Sequence, residues 1–286
     1  MWLSDQWREY ELIDCSGGER LERWGDYLLV RPDPQVIWNT PKIHPGWKAP
    51  AARYTRSRSG GGSWEKDGLP ASWQIGYGEL RFNVRPMNFK HTGIFPEQAA
   101  NWDYIRAKIR ASERPVSVLN LFAYTGAATL AAASAGAAVC HVDAARGMVA
   151  WARQNAKSSG LEESPIRWIV DDCVKFVERE LRRGRLYDAV IMDPPSYGRG
   201  PSGEVWKLED DLYGFLELVS GVVRSDALFV IINSYTTGLS PSTLTYIAES
   251  VLTARFGGHA ESRELGLPVT ESGLNLPCGA ACRWER

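Results

Sequence analysis

No stretch of about 18 consecutive apolar residues occurs in the chain, so no membrane-spanning helix is expected. The opening residues, MWLSDQWREY, lack the basic and apolar regions of a secretory signal. Net charge is nearly absent: 33 Lys and Arg stand against 34 Asp and Glu, leaving −1. The molecule as a whole therefore has no long-range attraction for nucleic acid, and only a local basic face could provide one. Cysteine is scarce, at Cys15, Cys140, Cys173, Cys278 and Cys282. An odd number without a CxxC pair suits free thiols in a reducing cytoplasm rather than a disulfide framework. The CGAAC stretch has too few companions for zinc, so no metal site is expected. GxGxxG and GK[ST] are also missing, which removes the dinucleotide fingerprint and the P-loop.

What is present is an ordinary globular composition, 44% hydrophobic and 23% charged over 286 residues. That length makes one large domain or two smaller ones. Residues 1–90 hold seven of the twelve tryptophans and short strand-like runs, DYLLVRP, QVIW and ELRFNVRP, separated by Gly, Pro and Asp. They predict a small β-rich domain. RYTRSRSGGGSWEKDG reads as one long polar loop, and its Arg53, Arg56 and Arg58 together with the tryptophans raise a substrate-recruiting role.

Residues 91–286 form the second expected domain, and from about Asn101 strands alternate with helices. VSVLNLF reads as a strand buried on both faces, and AVCHV, IRWIV, YDAVIM and ALFVIIN read as the strands that follow it. GAATLAAASAG, RGMVAWARQNAKSSG and VKFVERELRRG read as helices between them. Such alternation predicts an α/β doubly wound sheet, whose ligand sits beyond the carboxyl ends of its strands. The candidate groups are then Tyr124 to Gly126 (with Thr125 between), Asp143, Asp171 and Asp172, Asp193 to Tyr197, and Asn233 to Tyr235.

S-adenosylmethionine (SAM) suits this set. Its methionine end needs backbone donors at a glycine turn opening a helix, which FAYTG offers at Gly126. Its ribose diol needs a carboxylate, and Asp143 ends the second strand. Its adenine needs an acceptor and a donor, which Asp172 and the Cys173 N–H can supply. Its sulfonium favours aromatic and carbonyl neighbours such as Phe122 and Tyr124. Each Asp at a strand end has an alternative use as a helix cap; three at successive strand ends beside a glycine turn favour a ligand.

The series VLNLFAYTG, HVDA, VDDCVKF and YDAVIMDPPSYGRG, preceded by KHTGIFPEQ, resembles the class I SAM-dependent methyltransferases. Within them it is similar to the branch containing large-subunit rRNA cytosine carbon-5 methyltransferases. The likeness runs from about Asn88 to the end. It implies a Rossmann-like fold with a seven-stranded sheet and GAACRWER as last strand. It also implies SAM contacts at Phe122, Tyr124, Gly126, Asp143, Asp172 and Asp193, and a segment with Thr92 and Gln98 folding over the cofactor. Two departures stand out. The carbon-5 enzymes carry a catalytic cysteine after the fifth strand, where this chain reads NSYTTG. They also tend to carry an N-terminal RNA-binding domain of the PUA type, which is not legible here.

Carbon-5 of cytosine is a poor nucleophile and normally needs a thiolate to add to the ring. Without that thiol, DPPSY fits an amine better. Asp193 and the Pro194 carbonyl are acceptors for its N–H groups, two prolines remove competing donors, and Tyr197 can stack on a flat ring. The expected activity is therefore methylation of a nucleobase in RNA, rRNA first, in the cytoplasm, with a homodimer left open. Methylation of protein or of a small molecule, a nicotinamide-dependent oxidoreductase on a similar sheet, and a non-catalytic RNA-binding or assembly factor are the alternatives. Arg179, Arg182, Arg183 and Arg185 read chiefly as a solvated helix end, and Arg199 as a substrate-side candidate.

Overall fold

The computed structural model describes residues 1–57, 61–199, 205–236 and 238–286; the side chain of Arg199 also falls outside the description. The chain divides into two compact units. One is Met1–Ala100 with Leu265–Cys278, and the other is Asn101–Glu264 with Gly279–Arg286.

In the first unit the strands are β1 (Trp2–Leu3), β2 (Tyr10–Ser16), β3 (Glu19–Trp24), β4 (Tyr27–Pro32), β5 (Ala52–Arg56), β6 (Gly62–Lys66), β7 (Trp73–Tyr77) and β8 (Leu80–Val84). Strands β2 to β6 form a sheet in chain order, and β7 and β8 form a separate ribbon. Its core includes Ile13, Leu21, Val30 and Trp47. Beneath the sheet lies a network of buried charge: Arg31 donates to both oxygens of Glu22 at 2.6 and 2.7 Å, Tyr10 donates to Glu22, and Arg20 pairs with Asp33. The pairing holds the Glu22 and Asp33 carboxyls below their usual range against the opposing effect of burial.

Two sequence expectations change here. QVIW is not a strand; it is a loop whose Val36 and Trp38 carbonyls accept from Gly18 and Gly17 of the β2–β3 turn at 2.9 and 2.8 Å. The loop serves as a local acceptor and so never joins a ladder. The expected long polar loop is largely a hairpin, because β5 pairs antiparallel with β6 and sets Tyr54 opposite Trp64, edge to face at 5.4 Å. Arg53 is engaged there by Glu19 at 2.6 Å and the Trp47 carbonyl at 3.0 Å, so it is not a free recruiting group. Arg58 lies outside the described residues.

The second unit alternates as expected. Helix α1 (Ala99–Arg110) leads into β9 (Ser117–Leu121), α2 (Ala127–Ser134), β10 (Ala138–Asp143), α3 (Arg146–Ser158), β11 (Ile166–Val170), α4 (Cys173–Arg182) and β12 (Ala189–Met192). A short ribbon follows, β13 (Tyr197–Arg199) with β14 (Val205–Lys207), then α5 (Leu208–Ser220), β15 (Phe229–Ser234), α6 (Pro241–Ala248), a π-turn and α7 (Ala254–Phe256), β16 (His259–Pro268) and β17 (Asn275–Glu285), the end of β16 and the start of β17 being counted in the first unit. The sheet order is β16-β17-β15-β12-β9-β10-β11, the expected seven strands, and β1 adds a two-residue edge beside Leu265 and Gly266. Strands β9, β10, β11, β12 and β15 run parallel, and β17 runs antiparallel to β15. Leu119, Leu121, Val142, Val190 and Ile232 fill one face, while Val118, Val139, Ala189 and Ile231 fill the other. Two buried faces explain why these strands read as continuous apolar runs.

After β9 the chain builds outward to β10 and β11, then returns to β12 on the other side of β9. The carboxyl ends of β9 and β12 thus flank the point where strand order reverses, which is where open α/β sheets bind ligands. No helix among the described residues is long and apolar enough to cross a membrane.

Candidate active site

Beyond β9, the FAYTG turn carries unusual backbone. Phe122 has φ 54° and Tyr124 φ 50°, two non-glycine residues in the left-handed region two positions apart. Each costs on the order of 1–3 kcal/mol, and such strain gathers at functional sites. Both strained N–H groups are satisfied: Phe122 N donates to Cys173 Sγ at 3.3 Å, and Tyr124 N to Asp143 Oδ2 at 2.8 Å. The Thr125 carbonyl accepts from Asn155 Nδ2 at 2.9 Å, which ties the turn to α3. Gly126, at φ 86°, opens α2; a Cβ there would lie 2.8 Å from the Ala152 Cβ. Glycine is needed both for the dihedral and for the approach of α2 to α3.

Asp143 ends β10 with one oxygen on Tyr124 N and the other on Ala145 N, both at 2.8 Å. Burial raises its carboxyl above the ordinary value, against these two bonds. A carboxylate has about four lone-pair sites, so each oxygen retains capacity for a diol hydroxyl. Asp172 caps α4, its Oδ1 accepting from Lys175 N at 2.9 Å. The helix-cap use weighed from the sequence is therefore occupied on one oxygen. Its neighbour Asp171 pairs with Arg179 and accepts from Asp172 N. Cys173 opens α4, and a helix start leaves its N–H without an intrahelical partner. At the other end of α4 the half-exposed Arg183 pairs at 3.0 Å with Glu180, whose side chain is fully buried and also accepts from Tyr187, so this end is not simply a solvated face.

The DPPS loop beyond β12 is fixed at Asp193, Pro195 and Ser196. Asp193 N donates to the Leu121 carbonyl at 3.4 Å, bridging the ends of β9 and β12. The Pro195 carbonyl accepts from Trp206 Nε1 at 2.6 Å, the Ser196 carbonyl from Leu208 N at 3.1 Å, and Ser196 Oγ from Thr236 Oγ1 at 2.8 Å. Among the described residues no donor reaches the Pro194 carbonyl. Tyr197, 52% exposed, stands next along the chain on β13. In the loop after β15, Tyr235 lies against the Gly279 backbone, where a Cβ would come within 2.8 Å of its ring. The remainder of NSYTTG includes Thr237, outside the described residues, as is the side chain of Arg199.

Trp206 was not singled out from sequence. Its ring packs against Phe122 at 5.8 Å and Phe215 at 5.6 Å, and Phe122 meets Phe215 at 5.7 Å. One indole therefore touches the turn after β9 and fastens the loop after β12. Nothing in periodicity marks it, since it belongs to a three-residue strand. Thr92 and Gln98 lie in the first unit, both buried, and Thr92 Oγ1 has no hydrogen-bond partner among the described residues.

All five cysteines are buried. Burial pushes Cys15 and Cys282 up to about 11 and raises Cys140, Cys173 and Cys278 as well. A thiol so placed is not a thiolate nucleophile at neutral pH. No cluster of metal-ligating side chains occurs among the described residues.

The strand order, the strained glycine turn and the Asp143 acceptor together define a Rossmann-like methyltransferase fold of class I. Comparison with known proteins makes the assignment specific. A family model described as S-adenosylmethionine-dependent methyltransferase matches residues 44–245, and the chain belongs to that family. The crystal structure of the SAM dependent methyltransferase from Agrobacterium tumefaciens superposes with a TM-score of 0.92 at 36% identity, covering 99% of this chain and 92% of that one. Ribosomal RNA large subunit methyltransferase K/L of Syntrophotalea carbinolica is 27% identical over 183 residues, 63% of this chain. The protein of the same name from Methylococcus capsulatus is 33% identical over 144 residues, 50% of this chain. The matched segments span 25% and 19% of those two relatives' own length.

SAM is the cosubstrate of this family, and the turn fits it: a half-buried carboxylate with spare acceptor capacity faces a helix-opening glycine turn.

Proposed function

We propose that the protein methylates an exocyclic amine of a nucleobase in ribosomal RNA, in the cytoplasm. The observation that carries this reading is the acceptor pattern of the DPPS loop. The Pro195 and Ser196 carbonyls are taken up by Trp206 and Leu208, while no donor among the described residues reaches the Pro194 carbonyl next to Asp193. Proline at 194 and 195 removes two backbone donors from the same place. What remains is a site that accepts hydrogen bonds, suited to an NH2 group and unsuited to a carbonyl.

SAM, when bound, supplies a methyl group already activated on a sulfonium. The protein's part is positioning, worth up to roughly 7–11 kcal/mol. The Asp193 carboxylate and Pro194 oxygen each accept one N–H, which weakens conjugation of the nitrogen lone pair into its ring. Asp193 is then the group at hand for the proton that the nitrogen sheds. Tyr197 offers an exposed ring for stacking the flipped-out base. On the cofactor side Asp143 accepts from the ribose diol, Asp172 and the Cys173 N–H meet the adenine, and Phe122 and Tyr124 supply the surroundings of the sulfonium. The high-lying thiols support nitrogen over ring carbon. The rRNA substrate is supported by the names of the two K/L relatives.

The test is nucleoside mass spectrometry of rRNA from a deletion strain. One methylated base should disappear, return with the wild-type gene, and stay absent with Asp193→Ala, whose turnover should fall about 100-fold or more. If the rRNA nucleosides are unchanged, and purified protein moves no labelled methyl group into RNA from that strain, the reading is wrong.

A further inference from the structure

The segment between β8 and the Pro96 turn presents an aromatic ring to solvent in the first unit, and nothing above assigns it a role. Arg85 N donates to the Thr92 carbonyl at 3.0 Å and Met87 N to the His91 carbonyl at 3.2 Å, so residues 85–92 close into a narrow loop. Trp64 Nε1 donates to the Met87 and Phe89 carbonyls at 2.9 and 3.0 Å. Arg31 Nη1 donates to the Lys90 carbonyl at 3.0 Å. The backbone at the tip is thus pinned from two sides, yet the Phe89 side chain is 59% exposed. A single exposed apolar residue is normally unremarkable, but a mobile tip could fold such a ring away, and this one is held outward.

Its surroundings are cationic. Lys90 follows it directly; its ammonium donates to the Pro32 carbonyl at 3.3 Å. Neither Lys90 nor Arg56 forms an ion pair among the described residues. Burial, with the charges of Arg20, Arg31 and Arg56, brings Lys90 down to about 8, though Asp33 opposes it. It remains mostly charged at neutral pH and would gain from an anion. His91 sits at about 4 through burial and the charges of Arg31, Lys90 and Arg20, so it adds no charge.

We propose that Phe89 is a stacking platform for an unpaired base of the RNA substrate, with Lys90 and Arg56 taking the adjoining phosphates. A rigid ring beside unpaired cations is the pattern by which proteins hold single-stranded nucleic acid without reading its sequence. An apolar peptide would use the ring but not the cations, and a free anion would use the cations but not the ring. This inference rests on the proposed RNA substrate.

Binding of a short, fluorescein-labelled single-stranded RNA to the full chain tests it by anisotropy over a salt series. Phe89→Ala should weaken binding about 10-fold and Phe89→Trp should restore it. Arg56→Gln should weaken it and make the salt dependence shallower by about one unit. Thermal melting of each variant checks folding, and the exposed Arg56 provides a probe independent of the loop. If wild-type protein binds this RNA and Phe89→Ala binds it equally, the platform is wrong while the RNA reading stands. Equal weakening by Ala and Trp also overturns it. If the wild type binds no RNA and labels ribosomal protein instead, both readings fall together.

Discussion

At the scale of single residues, Trp206 joins two parts of the site through two different properties. Its ring packs on Phe122 and Phe215, and its N–H holds the Pro195 carbonyl at 2.6 Å. Trp206→Phe keeps much of the packing and removes the donor. The Pro195 carbonyl is then free to compete with that of Pro194 for the amine. We expect kcat to fall about 10-fold with KM for SAM nearly unchanged, because a hydrogen bond of this kind contributes about 1–1.5 kcal/mol. Steady-state kinetics with varied SAM would show it, and an equal rise in KM for SAM would contradict this role. The residues at strand tips were legible because each ends a run whose burial pattern fixes its length. Trp206 was not, because its importance arises from three rings that sequence separation hides. Asp172 shows a further limit: the sequence left cap and ligand acceptor open, and the structure gives one oxygen to the cap.

At the scale of elements, α2 and α3 meet at Gly126 and Ala152. Three of the five buried residues of α2 are alanine, Ala131, Ala132 and Ala133. Its contribution is close approach rather than apolar area. Gly126→Ala meets both a φ of 86° and the Ala152 Cβ at 2.8 Å. We expect a loss of about 1–3 kcal/mol, read as a lower denaturation midpoint, together with weaker SAM binding by calorimetry. Adding Ala152→Gly should recover part of the stability by relieving the contact while leaving the dihedral cost. The strands between these helices were legible from their apolar runs. The β5–β6 hairpin was not, because its side chains are mostly polar and its pairing rests on Tyr54 against Trp64. The QVIW loop erred the other way, since β-branched and aromatic residues suggested a strand where the backbone serves a neighbouring turn.

At the scale of the whole molecule, stability should fall as the medium becomes acidic. His141 lies fully buried on β10, with Nδ1 2.9 Å from Thr129 Oγ1 and Nε2 unpartnered. Burial and the charge of Arg153 lower it to about 3, and His91 is lowered to about 4. Both are neutral in the folded chain, while in the unfolded chain they take up protons below about 6.5. Stability is therefore intact above pH 6.5 and declines as pH falls toward 3, by up to about 1.4 kcal/mol per unit for each proton. Glu97, raised by burial, works in the opposite sense. Urea midpoints measured from pH 7 to 4 should fall more steeply for the wild type than for His141→Asn; parallel slopes would refute the assignment.

The fourteen-residue segment Leu265–Cys278 belongs to the first unit although the residues on either side belong to the second. It provides Leu265 and Gly266 as partners for Trp2 and Leu3, and Val269 for Leu12. The chain therefore passes between units three times, after Ala100, Glu264 and Cys278. During synthesis residues 1–100 leave the ribosome more than 160 residues before the segment that completes their unit, so the β1 edge stays open until Leu265 and Gly266 emerge. A ribosome stalled before Leu265 would leave that unit with a bare strand edge.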